Sequence, residues 1–385
     1  MTTARRYDVI VVGVGTIGSA AAYHLARRGA RVLGLERFGI VHDRGSMHGL
    51  TRIFRLAYHE DPRYVVLLRR AYALWRDLER ASGERLLHVT GLLDIGAEDS
   101  WLISGALRSC RDHDLDHELL SATELERRFP AWHPPADAVA LLQPDGGYLA
   151  AEQSVRAHAD AAVAAGAELR TGERVLEWAG GTDGVVVRTD RATYEAGRVV
   201  LCPGAWAPGV LRLPEQLLTV ERQVVAWFDT RGTADFRPDR FPVFIVEEDG
   251  AVPYGFPDDG RGLKVGRMHY PGQLGDAEDL DREAHAEEID VLRDFLARWL
   301  PAAAAGATLE ASACLFTNTP DLRFVVDHHP DEPNAVIASV CSGHVFKFAP
   351  VAGEILADLA LDGTTRHPID FLRLDRLGAP RGARA

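Results

Sequence analysis

The chain has 385 residues, enough for two or three domains of ordinary size and a large core without disulfide or metal staples. Its composition, 46% hydrophobic and 26% charged residues, is that of a globular protein. A formal net charge of −13 argues against nucleic-acid or polybasic membrane binding, and no apolar run approaches the roughly 18 residues of a membrane span. We therefore expect neither nucleic acid nor a membrane among its partners.

The N-terminus predicts a buried strand rather than a targeting signal. Two arginines precede an apolar run, but Asp8 interrupts its start and glycine follows Val12 at once. We therefore expect a cytoplasmic protein.

The first forty residues predict a βαβ unit, with strands at 7–12 and 31–35 around a helix at 19–28. Between the first strand and the helix lies the pattern GxGxxG. Gly13 permits a tight turn, Gly15 permits close approach of the backbone to a pyrophosphate, and Gly18 permits close helix–strand packing. Glu36, at the end of the second strand, is placed to accept ribose hydroxyls and disfavours NADP. The pattern predicts a dinucleotide site.

Further elements follow the βαβ unit. In chain order they are a Gly/His/Arg-rich loop at 45–52, a helix opened by Asp61 and Pro62, short strands and polar segments over 89–147, a helix at 152–165, strands near 185–187 and 198–201, Val- and Phe-rich strands after 221, a helix at 284–300, strands at 324–327 and 335–340, and a helix at 350–361. Nucleotide-binding elements thus occur at the start, middle and end of the chain. We predict an α/β fold with a discontinuous cofactor domain (1–88, 148–220 and 310–385) and a second domain of two inserts (89–147 and 221–309).

The cysteines and lysines are few. Cys110, Cys202, Cys314 and Cys341 form no CxxC pair and no metal-ligand spacing, so we predict buried thiols and no metal site. Of 43 basic residues only Lys264 and Lys347 are lysine. Either they occupy sites that need a compact ammonium, or they are chance surface residues.

Eight motifs carry a family resemblance: YDVIVVGVGTIGS, GSMHGLTRIFRLAY, RRAYALWRDLE, VLCPGAW, YGFP, LKVG, CLFTNTPDLRFVVD and SGHVFKF. Over essentially its whole length the chain resembles the monomeric sarcosine oxidase / N-methyltryptophan oxidase family of flavoproteins. The resemblance implies a glutathione-reductase-like Rossmann domain that binds FAD rather than NAD, a mixed-sheet substrate domain, and a monomer. The residues that it implies for FAD binding are Gly13, Gly15, Thr16, Ile17, Gly18, Glu36, Arg37, Ser46, Thr51, Arg52, Val175, Gly204, Trp206, Cys314, Gly343, His344, Val345, Phe346 and Lys347.

The same resemblance implies roles for individual side chains. Cys314 stands where the family attaches FAD through a thioether. Lys264 resembles the lysine that activates oxygen, and Arg52 with Lys347 resembles the pair that binds a substrate carboxylate. His48 is expected to tune the electrostatics of the site, and Tyr254 to pack around the substrate amine.

Three positions depart from the family pattern, and each replaces a polar or minimal group with apolar bulk. Leu50 stands in place of an acidic residue, Met268 in place of a histidine, and Val345 in place of a glycine. We expect these residues to alter the shape of the substrate pocket.

The predicted function is an FAD-dependent oxidase of secondary amines, namely N-methyl or cyclic amino acids, that forms an imine and reduces O₂ to H₂O₂. Three alternatives stay open: a flavin dehydrogenase that passes electrons to another carrier, an oxidase of bulkier amines without a carboxylate, and a non-catalytic flavoprotein. An NAD dehydrogenase is a further alternative.

Overall fold

The structure is a computed structural model that describes residues 6–268, 273–339 and 342–378. The α-helices within these ranges are α1 Thr16–Arg27, α2 Tyr64–Ser82, α3 Trp101–His113, α4 Ala122–Arg128, α5 Ala151–Ala164, α6 Ala207–Val210, α7 Ala286–Trp299, α8 Pro301–Ala304 and α9 Ala349–Asp362. The strands are β1 Arg6–Val12, β2 Val32–Leu35, β3 Thr51–Phe54, β4 Leu87–Val89, β5 Leu92–Ala97, β6 Glu118–Ser121, β7 Ala138–Gln143, β8 Gly147–Ala150, β9 Glu168–Arg170, β10 Val175–Gly181, β11 Gly184–Thr189, β12 Thr193–Leu201, β13 Thr219–Phe228, β14 Val243–Val246, β15 Val252–Phe256, β16 Leu263–Met268, β17 Leu274–Gly275, β18 Thr308–Asn318, β19 Val325–His328 and β20 Ala335–Ser339.

The first sheet contains the predicted βαβ unit. Strands β1, β2, β9, β12 and β20 run parallel, while β10, β11 and β19 extend the sheet with antiparallel pairings. Residues of α1, α2, α5 and α9 share one hydrophobic cluster with this sheet. A continuously apolar strand such as β2, buried at all four positions, is what a sheet covered on both faces requires.

The second sheet has nine strands in mixed directions, with the path β17-β13-β16-β15-β14-β5-β7-β6 and with β18 paired to β13. One of its faces packs against α7 and α8 through Leu292, Phe295 and Trp299. The strands β3, β8 and β4 form a third sheet. In the sequence, each of them lies between strands of the first sheet and strands of the second. The predicted α/β class with a mixed second sheet is confirmed.

Two helices differ from the predicted strands and polar segments of 89–147. The side chain of Ser100 caps α3 by accepting a hydrogen bond from the Ile103 amide, and Ser121 caps α4 in a capping box with Glu124. The prediction of strands and polar segments alone was therefore wrong here, although both capping serines can be recognised in the sequence.

The helix predicted to open at Asp61 and Pro62 begins at Tyr64 instead. The Asp61 carbonyl accepts from the Tyr64 amide and its carboxylate from the Arg63 amide, so the preceding residues form a turn rather than helix. The first helix, α1, conversely starts three residues earlier than predicted, because residues 16–18 already form its first turn with Gly15 as the N-cap.

Among the described residues, no helix combines the length and the apolar character that a bilayer crossing requires.

Candidate active site

One face of the nine-stranded sheet carries a row of side chains from five strands. Directly paired residues of neighbouring strands point to the same side of a sheet. The register pairs Val225 with Gly266, Gly266 with Tyr254, Tyr254 with Ile245, and Ile245 with Asp94. Because the opposite face is the core against α7, this row faces the cofactor-binding part of the chain.

A small cavity of about 60 Å³ lies over this row. Its walls come from the row itself, from β3 and the residues after it, and from residues 343–347. The residues that line it are His48, Thr51, Arg52, Ile53, Arg55, Glu60, Val225, Ile245, Tyr254, Phe256, Lys264, Met268, Cys314, Phe316, Gly343, His344, Phe346 and Lys347. We call this cavity the substrate pocket.

Both lysines of the chain lie in this pocket and both are buried, which excludes the alternative that they are surface residues. The Lys264 Nζ atom donates to the carbonyl oxygens of Gly49 and Thr51, at 2.5 and 3.1 Å, and lies 4.7 Å from the Phe256 ring centroid. Burial, followed by repulsion from Arg52, lowers the pKa of Lys264 well below its usual value. The ammonium is thus held by neutral dipoles.

Lys347 is the middle residue of a short helical turn, Phe346–Phe348, that precedes α9. Its Nζ atom donates to the His344 carbonyl at 2.8 Å and lies 5.3 Å from the Tyr58 ring centroid. Its carbonyl in turn accepts from the Trp75 indole at 2.9 Å, which anchors the turn to α2.

Arg52, on β3, presents its guanidinium to three backbone carbonyls. Its Nη1 donates to Thr51 at 2.7 Å, and its Nη2 donates to Ser46 and His48 at 2.5 and 2.6 Å. No carboxylate of the described residues forms an ion pair with it. Because charged groups in such sites are usually paired with an opposite charge, this cation is suited to an anionic ligand.

The histidines of the pocket are neutral at pH 7. Burial, followed by repulsion from Arg52, lowers the pKa of His48 to about 4, and burial lowers that of His344 to about the same value. The His48 Nδ1 atom is 3.3 Å from the Ser312 hydroxyl. Neither ring therefore adds a positive charge to those of Arg52, Lys264 and Lys347.

The remaining wall of the pocket is apolar and aromatic. Tyr254 shares its side of the sheet with Met268, and a Cβ atom at Gly266 would lie 2.7 Å from the Tyr254 ring, so glycine makes room for the phenol there. Cys314, on β18, is 5% exposed and pairs in register with Gln223. Burial raises the pKa of the Cys314 thiol, while Arg52 and Lys264 act in the opposite direction.

A larger cleft of about 710 Å³ begins at the N-terminus of α1 and passes the end of β2. The predicted cofactor residues that line it are Gly13, Gly15, Thr16, Ile17, Glu36, Arg37, Ser46, Val175, Gly204, Trp206 and Val345. Gly13 adopts φ +83°, and a Cβ atom there would lie 2.3 Å from the Cys202 carbonyl oxygen, so only glycine fits this turn.

The cleft fits the dinucleotide part of FAD. No side chain caps the α1 N-terminus and no acidic residue lies in its first turn, which leaves this end open to a pyrophosphate. The Glu36 carboxylate is held at the cleft by the amides of Val14 and Phe38, both at 2.9 Å, where it can accept ribose hydroxyls.

The structure places most predicted site residues in one of the two cavities. Gly18 lines neither; a Cβ atom there would lie 1.8 Å from the Gly13 carbonyl oxygen, consistent with a packing role. Leu50 also lines neither cavity and donates its amide to Glu152. Val345, predicted for the substrate pocket as well as for FAD binding, lines the cleft.

Cys110 and Cys202 are buried, as predicted, and Cys341 lies outside the described residues. Two charged residues of the pocket were missed by the sequence analysis. Arg55 belongs to the same motif as Arg52, and Glu60 lies two residues after the end of that motif; their only sequence signal is this proximity.

Comparisons with known proteins agree with this geometry. Residues 8–359 match the DAO family of FAD dependent oxidoreductases. The chain is 47% identical to a monomeric sarcosine oxidase of Streptomyces avermitilis, over 97% of this chain and 98% of that protein. It is 35% identical to an N-methyl-L-tryptophan oxidase of Yersinia pestis, over 95% and 97% of the two chains.

Solved structures show the same fold. NikD, described as an unusual amino acid oxidase essential for nikkomycin biosynthesis, aligns with a TM-score of 0.84 at 31% identity and covers 99% of each chain. A glycine oxidase from Geobacillus kaustophilus aligns with a TM-score of 0.80 at 22% identity, over 96% of this chain and 99% of that one. The chain therefore belongs to the FAD-dependent oxidoreductase family that includes monomeric sarcosine oxidase and N-methyl-L-tryptophan oxidase, and it is a flavin oxidoreductase that acts on CH–NH donors.

Proposed function

We propose that the chain oxidises secondary amines that carry a carboxylate, N-methyl or cyclic amino acids, with dioxygen as the electron acceptor and H₂O₂ as a product. The observation that carries this proposal is the substrate pocket itself. Three cations, the half-buried Arg52 and the buried Lys264 and Lys347, meet there opposite an apolar wall, while a fourth, Arg55, is paired with Glu60. A ligand with one anionic end and one small apolar end complements both halves.

Arg52 and Lys347 bind the substrate carboxylate. The planar guanidinium of Arg52 suits bidentate binding, and the Lys347 ammonium adds a point charge from the other side. Each is held by backbone carbonyls, so a carboxylate meets donors that are already oriented.

The apolar wall acts on the amine. Tyr254, Phe256 and Met268 exclude water from their side of the pocket, and a charged ammonium is costly to bury there. The site therefore favours the free base, whose lone pair assists removal of hydrogen from the neighbouring carbon. FAD, when bound, supplies the acceptor for the electron pair that leaves the C–N unit.

Lys264 serves the oxidative half of the reaction. Electron transfer to dioxygen creates an anion, and a fixed positive charge stabilises it. This role distinguishes an oxidase from a dehydrogenase that passes electrons to another carrier.

Cys314 is proposed to hold FAD through a thioether. Its sulfur is buried in the pocket, where burial raises the pKa of the thiol and the cations Arg52 and Lys264 act against that rise, in favour of the reactive thiolate. Such a bond would replace one hydrogen of the thiol and one of the flavin methyl carbon, with dioxygen as the final acceptor of that electron pair.

The molecular context is also proposed. We propose that the segments 1–88, 148–220 and 310–385 form the cofactor domain, and 89–147 with 221–309 the substrate domain. The strand membership of the two large sheets supports this division except at β18, which falls in a cofactor segment but pairs with β13 in the nine-stranded sheet. A monomer is supported by the names of the sarcosine oxidase relatives. We propose a cytoplasmic location.

The test is peroxide release from a panel of N-methyl and cyclic amino acids, each paired with the same amine lacking the carboxylate. We expect oxidation of the acids and weak or no oxidation of their partners. Arg52→Ala should raise KM for the acids by on the order of 10²-fold, because a charged hydrogen bond contributes about 1.5–3 kcal/mol. Equal turnover of both members of each pair would contradict the carboxylate assignment. Amine-driven flavin reduction without peroxide in air would instead favour the dehydrogenase.

A further inference from the structure

A fully buried carboxylate lies beneath the wall of the substrate pocket. Asp94, on β5, is 0% exposed and ends the cross-strand row that includes Ile245 and Tyr254. Its Oδ2 atom accepts a hydrogen bond from the Gln143 amide at 2.7 Å, while its Oδ1 atom has no hydrogen-bond partner among the described residues. A buried carboxylate oxygen without a donor is costly, so its retention calls for an explanation.

Arg55 stands between this carboxylate and a second one. Its Nη2 atom donates to both carboxylate oxygens of Glu60, each at 2.7 Å, and its Nη1 atom lies 3.9 Å from Asp94 Oδ1. The Arg55 Nε atom has no hydrogen-bond partner among the described residues. Arg55 and Glu60 line the pocket, whereas Asp94 does not. The Arg55 Nη1 atom also contacts the His59 ring, so Nε is the guanidinium donor that is left for a carboxylate.

Gln143 couples Asp94 to the segment that carries Arg55 and Glu60. Its Nε2 atom donates to Asp94, and its Oε1 atom accepts from the Ala57 amide at 2.9 Å. The side-chain amide of Gln143 therefore holds both the buried carboxylate and the backbone between Arg55 and Glu60. A change in the charge of Asp94 is transmitted to the pocket wall through one guanidinium and one amide.

We propose that Asp94 is a positioning residue of the substrate pocket: it competes with Glu60 for the Arg55 guanidinium and so sets how much of the negative charge of Glu60 reaches a bound carboxylate. When Asp94 is neutral, the Arg55 guanidinium pairs with the Glu60 carboxylate alone, and their two charges cancel. When Asp94 is ionised, the three groups carry one net negative charge, which opposes anion binding. The inference rests on the proposed function, because it assumes that the substrate is an anion.

Asp94 is the group of this cluster that changes charge near neutrality. Burial raises its pKa to about 7, with Glu60 acting in the same direction and Arg55 against it. Burial lowers the pKa of His59 to about 4 and raises that of Cys110, on α3, to about 12, so both stay neutral. Attraction to Arg55 outweighs burial and lowers the pKa of Glu60 well below its usual value, so Glu60 stays ionised.

The experiment measures the dissociation constant of acetate, which has no amine to titrate, from the flavin absorbance of the holoenzyme between about pH 6 and about pH 8.5. In the wild type, acetate binding should weaken with rising pH. Asp94→Asn should bind acetate about threefold more tightly than the wild type at the upper end and equally at the lower end. Asp258→Asn makes the same change in a turn of the second sheet, and its acetate binding should show the same pH dependence as the wild type. Lys264 faces the same pocket in every variant, so the difference between curves belongs to Asp94.

A second variant covers the case in which Asp94→Asn does not fold. Gln143→Met removes the donor that stabilises ionised Asp94, so the weakening of acetate binding should move to higher pH. The same pH dependence in the wild type and Asp94→Asn, or an unmoved step in Gln143→Met, would overturn the inference while leaving amine oxidation intact. A wild-type enzyme that oxidises no amine would contradict the proposed function instead.

Discussion

At the scale of single residues, Lys264 is the side chain whose setting is most specific. The residue is 3% exposed, and its ammonium lies over two aromatic rings and donates to the Gly49 carbonyl and to both oxygens of Thr51. A cation fixed in this way needs no rearrangement when negative charge develops beside it.

Lys264→Met should therefore slow the reaction of the reduced enzyme with dioxygen by on the order of 10²-fold, the typical cost of removing one preorganised donor. Anaerobic reduction by amine should change by only a few fold, and it serves as the internal control in stopped-flow measurements. The pKa of Lys264 is lowered by burial and by Arg52, so its protonated fraction falls as pH rises. The oxygen step should accordingly slow with rising pH in the wild type but not in Lys264→Met. A slower anaerobic reduction by amine together with an unchanged reaction with dioxygen would refute this role of Lys264.

Cys314 gives a prediction with a spectroscopic readout. Acid precipitation of the wild-type holoenzyme should leave the yellow chromophore with the protein, whereas Cys314→Ala should release it to the supernatant. Cys202→Ala is the matched control, because that thiol is buried under the cofactor-binding sheet but does not line the pocket. Release of the chromophore from the wild type would exclude the thioether.

The residues that the sequence predicted and those it missed differ in a physical respect. Lys264 and Lys347 stood out because an arginine-rich chain retained lysine at two positions only. Asp94 carried no such signal, since its neighbour Arg55 comes from a distant part of the chain and meets it only through the packing of β5 against the segment after β3. Contacts of this kind follow from tertiary structure and not from spacing.

At the scale of elements, the orientation of α1 depends on close contact with α9. A Cβ atom at Gly353 would lie 2.5 Å from the Ala20 carbonyl carbon and 2.7 Å from its Cβ atom. The glycine thus lets two helices approach until their backbones touch, and it fixes the direction in which the α1 N-terminus meets the cleft.

Gly353→Ala should lower the free energy of unfolding by about 1–3 kcal/mol, the usual cost of overpacking a close contact. Gly209→Ala is the control: apart from its own helix, no described residue has an atom within 4 Å of the added methyl group, so its stability should stay within about 0.5 kcal/mol of the wild type. Urea denaturation of both variants measures the difference. Equal stability of the two would show that α1 and α9 can separate without cost.

The elements predicted from sequence were those with strong local signals. Helices α5, α7 and α9 lie within two residues of their predicted bounds, because apolar periodicity and flanking glycine or proline mark them. Helices α3 and α4 were missed although Ser100 and Ser121 cap them, since the surrounding short strands dominated the pattern.

At the scale of the whole molecule, the site exists only where the sheets meet. Arg52 comes from the small third sheet, Lys264 and Cys314 from the nine-stranded sheet, and Lys347 from the turn before α9. No stretch of sequence contains the pocket, and its 60 Å³ volume follows from the relative placement of these parts. The family resemblance supplied that placement before the structure did, whereas residue patterns alone supplied only the dinucleotide cleft.

The stability of the whole molecule should depend on two neutral histidines in the core of the cofactor-binding part. His158 is 1% exposed, with its ring centroid 5.2 Å from that of Trp75 and 6.0 Å from that of Tyr23. Burial lowers the pKa of His158 from 6.5 to about 3 and that of His24 to about 4. Below about pH 6.5 these two histidines therefore bind protons in the unfolded chain but stay neutral in the folded chain. The stabilising contribution of the neutral histidines is complete above that pH and is lost as pH falls.

His158→Phe keeps a ring between Trp75 and Tyr23 but removes one of the two titrating groups. The decrease in the free energy of unfolding between about pH 6.5 and about pH 4 should then be smaller by on the order of 3 kcal/mol than in the wild type. Urea denaturation at several pH values measures this slope, and His117→Phe, at an exposed position, should reproduce the wild-type slope. If all three proteins lose stability in parallel, the acid sensitivity of the fold arises elsewhere; a shallower slope in His158→Phe alone assigns it to this buried ring.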